Sequence, residues 1–273
     1  RQDIRTVNPS VFNKLDAYSG PRLVEYHDNN PCYRIVDKEI MLMDMAPVSE
    51  MSMRSAGNLE NDKKYKVTVE AEYKVDEYDI LILSAKESTG LKQWLTENGY
   101  KIPGTAAAVL DPYIKNNLKF FVVKVDADRL AQKGTGTMSP LQIGFNSPKF
   151  MLPIRLGMAN ADGDQDMIVY GLTKKGRIEC TNYRTVEIPT NRNVPTFVRD
   201  NFSSFYKDLF NKAYKYQGRN AVFLEYAWNV SPSFRGMKCD PCVGPPPISR
   251  DLSQAGVYWN GNVHFTRLHV RYS

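Results

Sequence analysis

Apolar and polar residues alternate over 65–72, where Tyr65, Val67, Val69 and Ala71 fall between Lys66, Thr68, Glu70 and Glu72. A period of two predicts a half-buried strand. The next run, YDILIL (78–83), is apolar at both parities and predicts a strand covered on both faces. The period then changes. Leu91, Trp94 and Leu95 are spaced three and four apart, a helical stripe that Ser88 can cap and Asn98-Gly99 can end, with Pro103 beyond. The stretch 65–113 therefore reads strand, strand, helix, turn, helix.

The rest of the chain is read in the same way. VFNKLDAY (11–18) sets Val11, Leu15 and Tyr18 on one helical face, Ser19-Gly20-Pro21 interrupts it, and RLVEY (22–26) is strand-like. LKFFVVKVDADRL (118–130) is a strand leading into a turn at 126–128. PLQIGF (140–145) and KFMLPIRLGM (149–158), joined by Asn146-Ser147-Pro148, predict an antiparallel hairpin. QDMIVYGLT (165–173), Lys174-Lys175-Gly176 and RIECTNYRTVEI (177–188) predict a second one. The longest helix is predicted at 195–216, with Val198, Phe202, Phe205, Leu209, Phe210 and Ala213 as its apolar stripe. Strands follow at 220–230 and 262–272, with a short helix at 249–257 closed by Gly256. About nine strands and four helices, many joined by hairpins, predict an α+β fold, with largely antiparallel mixed sheets and the helices packed on their faces.

Residues 37–62 break the regularity. Met41, Met43, Met45, Met51 and Met53 stand among Asp, Pro, Ser and Gly, the composition of a flexible surface loop, with a soft-metal or greasy contact as the competing reading. The residues before this loop are too few to stand alone, and no repeat or clear linker divides the rest, so a single domain over 1–273 is expected. The chain begins at Arg1 without a signal-peptide pattern and stops just after the strand-like HFTRLHVRY (264–272), so it reads as a domain trimmed at both ends.

Composition changes this picture little. At 273 residues, 42% hydrophobic and 24% charged, the chain has the make-up of a globular protein with a substantial core. The net charge is +6, but no basic run exceeds two residues, as at Lys63-Lys64 and Lys174-Lys175. A nucleic-acid surface would cluster them, so no nucleic-acid partner is expected, and an anionic envelope surface or an acidic partner suits the charge as well or better. No apolar run is long enough to span a bilayer.

Chemistry-bearing residues are few. Cys239-Asp240-Pro241-Cys242 is a CxxC, but Val243-Gly244 and three prolines follow, which cannot supply the helix that lowers a redox thiol's pKa. A disulfide stapling the loop 231–248 is the plainer reading. A zinc site would need a second ligand pair, for which Cys32 and Cys180 are the cysteines left. His27 sits beside Glu25 and Asp28 and is an acid–base candidate against the simpler reading of a solvent-facing loop histidine. His264 and His269 are five apart in a strand and point to opposite faces. Asp162, Asp164 and Asp166 alternate as calcium ligands do, but Thr173 stands where a calcium loop needs glutamate, leaving a looser calcium site or a polar turn. No nucleophile elbow, phosphate-binding loop, dinucleotide fingerprint or HExxH is present, and no cofactor is expected.

Several segments resemble the bacterial domain-of-unknown-function family 2330: LDAYSGPRLVEYHDNNPC (15–32), EYDILILSAKESTGLKQWLTENGYKIP (77–103), KFFVVKV (119–125), SPKFMLPIRLG (147–157), TNYRTVEIP (181–189), AVFLEYAW (221–228), CDPC (239–242) and FTRLHVRY (265–272). The resemblance implies an exported, extracytoplasmic protein, periplasmic or on the cell surface, and brings no catalytic residues with it. Export favours disulfides for Cys32 and the CDPC loop. The 16 Tyr and 12 Phe supply interface anchors as well as core. The expected function is a non-catalytic structural or interaction subunit of a cell-envelope or membrane-associated assembly, partnered by other envelope proteins, with peripheral membrane association allowed. A hydrolase built around His27 and a thiol redox protein using Cys239 and Cys242 are the alternatives.

Overall fold

The computed structural model describes residues 3–24, 65–102, 104, 106–134, 136–148, 150–158, 162–190, 192–230, 247, 249–259 and 261–272. In chain order the elements are β1 (Asp3–Thr6), α1 (Ser10–Ser19), β2 (Val67–Val75), β3 (Tyr78–Ala85), α2 (Ser88–Glu97), α3 (Ala106–Lys115), β4 (Phe120–Val125), α4 (Ala127–Gln132), β5 (Leu141–Gly144), α5 (Arg155–Met158), β6 (Gln165–Thr173), β7 (Arg184–Glu187), a 3-10 turn (Thr196–Asn201) running into α6 (Phe202–Tyr216), β8 (Ala221–Val230), α7 (Ser249–Gln254) and β9 (Val263–Tyr272). The fold is α+β, and its strands form sheets β1-β5, β2-β3-β4 and β6-β9-β8-β7.

β3 shows why YDILIL is apolar throughout. Tyr78, Ile80 and Ile82 face Ile4 of β1 and Leu141 of β5. Leu81 and Leu83 face the other way, onto Leu91, Trp94 and Leu95 of α2 and Leu110 and Ile114 of α3. The three-stranded sheet thus lies between a helix layer and the β1-β5 ribbon. The start of α2 is pressed against the chain before β2. A Cβ on Gly90 would lie 2.2 Å from the Tyr65 carbonyl oxygen.

The four-stranded sheet is built differently from the predicted hairpins. β6 pairs antiparallel with β9, not with the segment after its turn, and β7 pairs parallel with β8. Gly171 explains the change. It leaves room for Ile178, whose Cδ1 would lie 2.4 Å from a Cβ there. Ile178 and Cys180 therefore fold over one sheet face with Val169, Val222, Leu224 and Leu268 instead of lengthening its edge. The opposite face takes α6 through Phe210, Tyr214 and Phe223, and α1 through Val11, Leu15 and Tyr18 against Phe265 and Val230.

The other predicted hairpin is also absent. β5 pairs with β1, and 155–158 is one helical turn. Pro153 withholds a ladder donor from the middle of the segment that would have been the partner strand. The turn expected at 126–128 is the start of α4, capped by the Asp126 carboxylate accepting from the backbone N–H groups of Asp128 and Arg129, both at 3.0 Å. Residues 22–24 carry no regular structure, and the remainder of the strand expected at 22–26 lies outside the described residues, as does the Met-rich loop 37–62.

Replacing Gly90 with alanine is expected to cost about 1–3 kcal/mol through overpacking against the Tyr65 backbone. Urea denaturation of G90A measures it. An unchanged midpoint would show that α2 is not seated against Tyr65.

Candidate functional site

One stretch of surface differs from the rest. Met138, Ile143, Phe145, Phe150, Met151, Leu152 and Leu156 are exposed, half of the large apolar side chains exposed among the described residues, within nineteen positions. Phe145 is 65% exposed and Phe150 85%. Single exposed apolar residues are normal on a folded surface, whereas seven along one short stretch of chain make it a candidate contact site.

Both ends of this stretch are tied down. At its start, the fully buried Glu77 accepts the backbone N–H of Ser139 at 2.6 Å and pairs with the Lys133 ammonium. Tyr78 donates its hydroxyl to the Ser139 carbonyl at 2.5 Å, and Pro140 accepts from the Val7 N–H at 2.9 Å. Burial alone would raise the Glu77 carboxyl. The Lys133 ammonium and the backbone donor of Ser139 outweigh it and hold the group at about 2. At the far end the Arg155 N–H donates to the Tyr113 hydroxyl at 3.1 Å, and Gly157 lies against the Tyr272 ring. The apolar side chains are therefore presented between two fixed points.

A second feature sits on the α1 and α6 side of the four-stranded sheet. The register of β8 against β9 shifts between Leu224 and Tyr226. This bulge turns Glu225 and Tyr226 toward the same face, a change of side-chain direction that regular alternation forbids. Glu225 Oε1 accepts from the Tyr206 hydroxyl at 2.6 Å and lies 2.8 Å from His269 Nδ1, while Oε2 accepts from Arg267 Nε at 2.6 Å. Arg267 Nη1 reaches on to Asp16 Oδ1 at 2.6 Å, where the Tyr170 hydroxyl also donates at 2.9 Å. Arg271 grips Asp166 through Nε at 2.6 Å and Nη2 at 2.7 Å, and bonds Asn211. His269 stacks on Phe210 with ring centroids 3.9 Å apart. Its Nε2 is buried, 3.2 Å from Asp166 Oδ1 but out of hydrogen-bond alignment.

Two guanidiniums and one imidazole thus face three carboxylates. Burial pushes Glu225 upward, but the donors from His269, Tyr206 and Arg267 hold it below the usual carboxylate range. Burial and Glu225 together raise the Tyr206 phenol. Arg267 is raised by Glu225 and Asp16 against its own desolvation. An ionised, fully bonded carboxylate beside protonated phenols ties α1, β6, α6, β8 and β9 together. His269 Nε2 is the one buried member of this network left without a hydrogen bond among the described residues.

A third feature is an open groove of about 470 Å³ lined by Gly176, Arg177, Ala227, Trp228, Asn229, His264 and Phe265. Trp228 is well exposed there.

The residues singled out in the sequence are dispersed. Asp162 and Asp164 are exposed beside a turn, and Asp166 is held by Arg271. Among the described residues no three His, Cys, Asp or Glu side chains gather as a metal-binding group. Cys180 is half-buried with a free thiol, its Sγ 3.3 Å from Asn182 Oδ1. Cys32, Cys239, Cys242 and His27 lie outside the described residues. His264 and His269 do separate, one to the groove and one to the ionic cluster. The cluster itself was missed, although its signal is present. Glu225 is a lone carboxylate in the apolar AVFLEYAW, and Arg267, His269 and Arg271 recur at a period of two in β9. Buried charge in a strand calls for a partner.

Glu225→Gln is expected to destabilise by about 3 kcal/mol, because it leaves Arg267 short of its counter-charge in the interior. Thermal unfolding at neutral pH reads this directly, and a change within error would reduce the cluster to a spectator. Glu77→Gln is expected to cost about 2 kcal/mol through loss of a buried charged acceptor. Since Glu77 is depressed in the fold, its contribution is complete above its unfolded value, near 4.5, and is lost as pH falls toward about 2. The variant should therefore lose less stability than the parent between neutral pH and pH ~3. Parallel acid denaturation curves would refute the assignment.

The family described as "Uncharacterized protein conserved in bacteria (DUF2330)" matches residues 1–273, the whole chain. No curated protein and no solved structure matches it.

Proposed function

The chain belongs to this bacterial family, DUF2330, and we propose that it is a non-catalytic, extracytoplasmic interaction subunit of the cell envelope that holds its neighbours through residues 138–156. The observation that carries the reading is the clustering of exposed apolar side chains on a segment fixed at both ends. A contact surface held in place before binding loses little conformational freedom on association, which favours affinity. The ionic cluster serves this role from behind. It braces the four-stranded sheet, whose last strand carries Tyr272 against Gly157. No helix among the described residues is long and apolar enough to cross a membrane.

The test is fractionation of the full chain from its native bacterium after mild extraction. Parent protein is expected with the envelope fraction or in a large assembly, and Phe150→Asp is expected to release it as a free monomer. Replacing a buried Phe contact costs about 1.5–3 kcal/mol, so association should weaken roughly tenfold or more. A parent chain already free and monomeric would overturn the proposal.

A further inference from the structure

The stretch that carries the exposed apolar residues has a second property. From 129 to 161 the chain contains no Asp or Glu, although 30 acidic residues are spread over the 273. Four cations fall in the same interval: Arg129, Lys133, Lys149 and Arg155. Arg129 and Lys133 are engaged with Asp79 and Asp126 and with Glu77. Arg155 is exposed and makes no ion pair among the described residues. The sequence sets Lys149 directly before Phe150, the most exposed apolar side chain of the segment.

From this pairing of an exposed apolar tip with Arg155 on an acid-free stretch we infer that residues 150–156 dock on an anionic lipid surface. The inference rests on the reading of 138–156 as a contact face and names its occupant. The composition discriminates between occupants. Phe, Met and Arg are enriched in protein-interface cores too, but Lys is depleted there, so the discrimination lies in the charge. This segment has neither Tyr nor Trp. It offers Phe, Met and Leu flanked by Lys and Arg, the make-up of elements whose apolar side enters the boundary between headgroups and acyl chains while cations meet anionic headgroups. Pro148 and Pro153 bracket the tip and fix φ at their own positions, and Phe150, Met151 and Leu152 between them are exposed. The net charge of +6 adds long-range attraction to the same surface.

The test is co-sedimentation of the full chain with vesicles of phosphatidylcholine containing phosphatidylglycerol, against vesicles of phosphatidylcholine alone. The parent is expected to bind the anionic vesicles, more weakly as salt rises. Phe150→Asp should lower partitioning about tenfold or more. Arg155→Glu should lower it by roughly twenty-fold, since each unit of charge near an anionic surface is worth about a factor of five and the reversal changes two. Phe12→Asp, at an exposed apolar position on α1, should leave it unchanged. Circular dichroism and thermal unfolding confirm that each variant is folded. Absence of vesicle binding, or binding indifferent to Phe150→Asp, overturns the lipid inference. If Phe150→Asp still releases the chain from its native assembly, the contact face stands with a protein as occupant. If neither vesicles nor native association respond, the contact face falls as well.

Discussion

Glu77 has no exposure to water, and a carboxylate in that position must be met by a cation and by donors. Lys133 and the Ser139 N–H supply them. That requirement draws the chain after α4 back against the β2–β3 turn and sets the point from which β5 and the apolar segment start. β5 then has β1 for a partner, and Leu141 reaches the core beneath β3. The residues after β5 cannot fold inward at the same place, because that face of the three-stranded sheet is already covered. The exposed segment begins where the buried carboxylate fastens the chain.

The four-stranded sheet solves a similar problem on a larger scale. One bulge sends Glu225 to the α6 side, and Arg267, His269 and Tyr206 converge on it. Arg267 extends the pairing to α1 through Asp16, and Arg271 extends it to β6 and α6 through Asp166 and Asn211. Elements far apart in the chain are held by side chains that would be costly to bury singly. Both sets of buried charges hold elements together, and in the proposed reading contact is made by the exposed segment.

Much of the fold could be read from periodicity. Val11, Leu15 and Tyr18 marked the buried face of α1, and Leu91, Trp94 and Leu95 that of α2. The α+β class came from the same patterns. Strand partners were less legible, because alternation identifies a strand without naming its neighbour. Lys174-Lys175-Gly176 looked like a hairpin turn, yet Gly171 makes room for Ile178 and lets the chain cross the sheet face. The strand expected at 140–145 is β5, whereas 149–158 was misread as its partner because its apolar residues resemble a core strand, and only their burial separates the two. Glu225 stood visible in its apolar strand, but Tyr206, Arg267 and His269 come from α6 and β9, distances that a local window does not cover.

The proposed contact face requires Phe150, Met151 and Leu152 to be open in the free chain and covered when it is bound at the envelope. Carbene footprinting with mass-spectrometric readout measures this at each residue, comparing purified protein with protein in native membranes. Strong labelling of the three in the purified chain and their protection in the membrane, with Phe12 labelled alike in both, is the predicted result. Equal labelling of the three in both settings would contradict it.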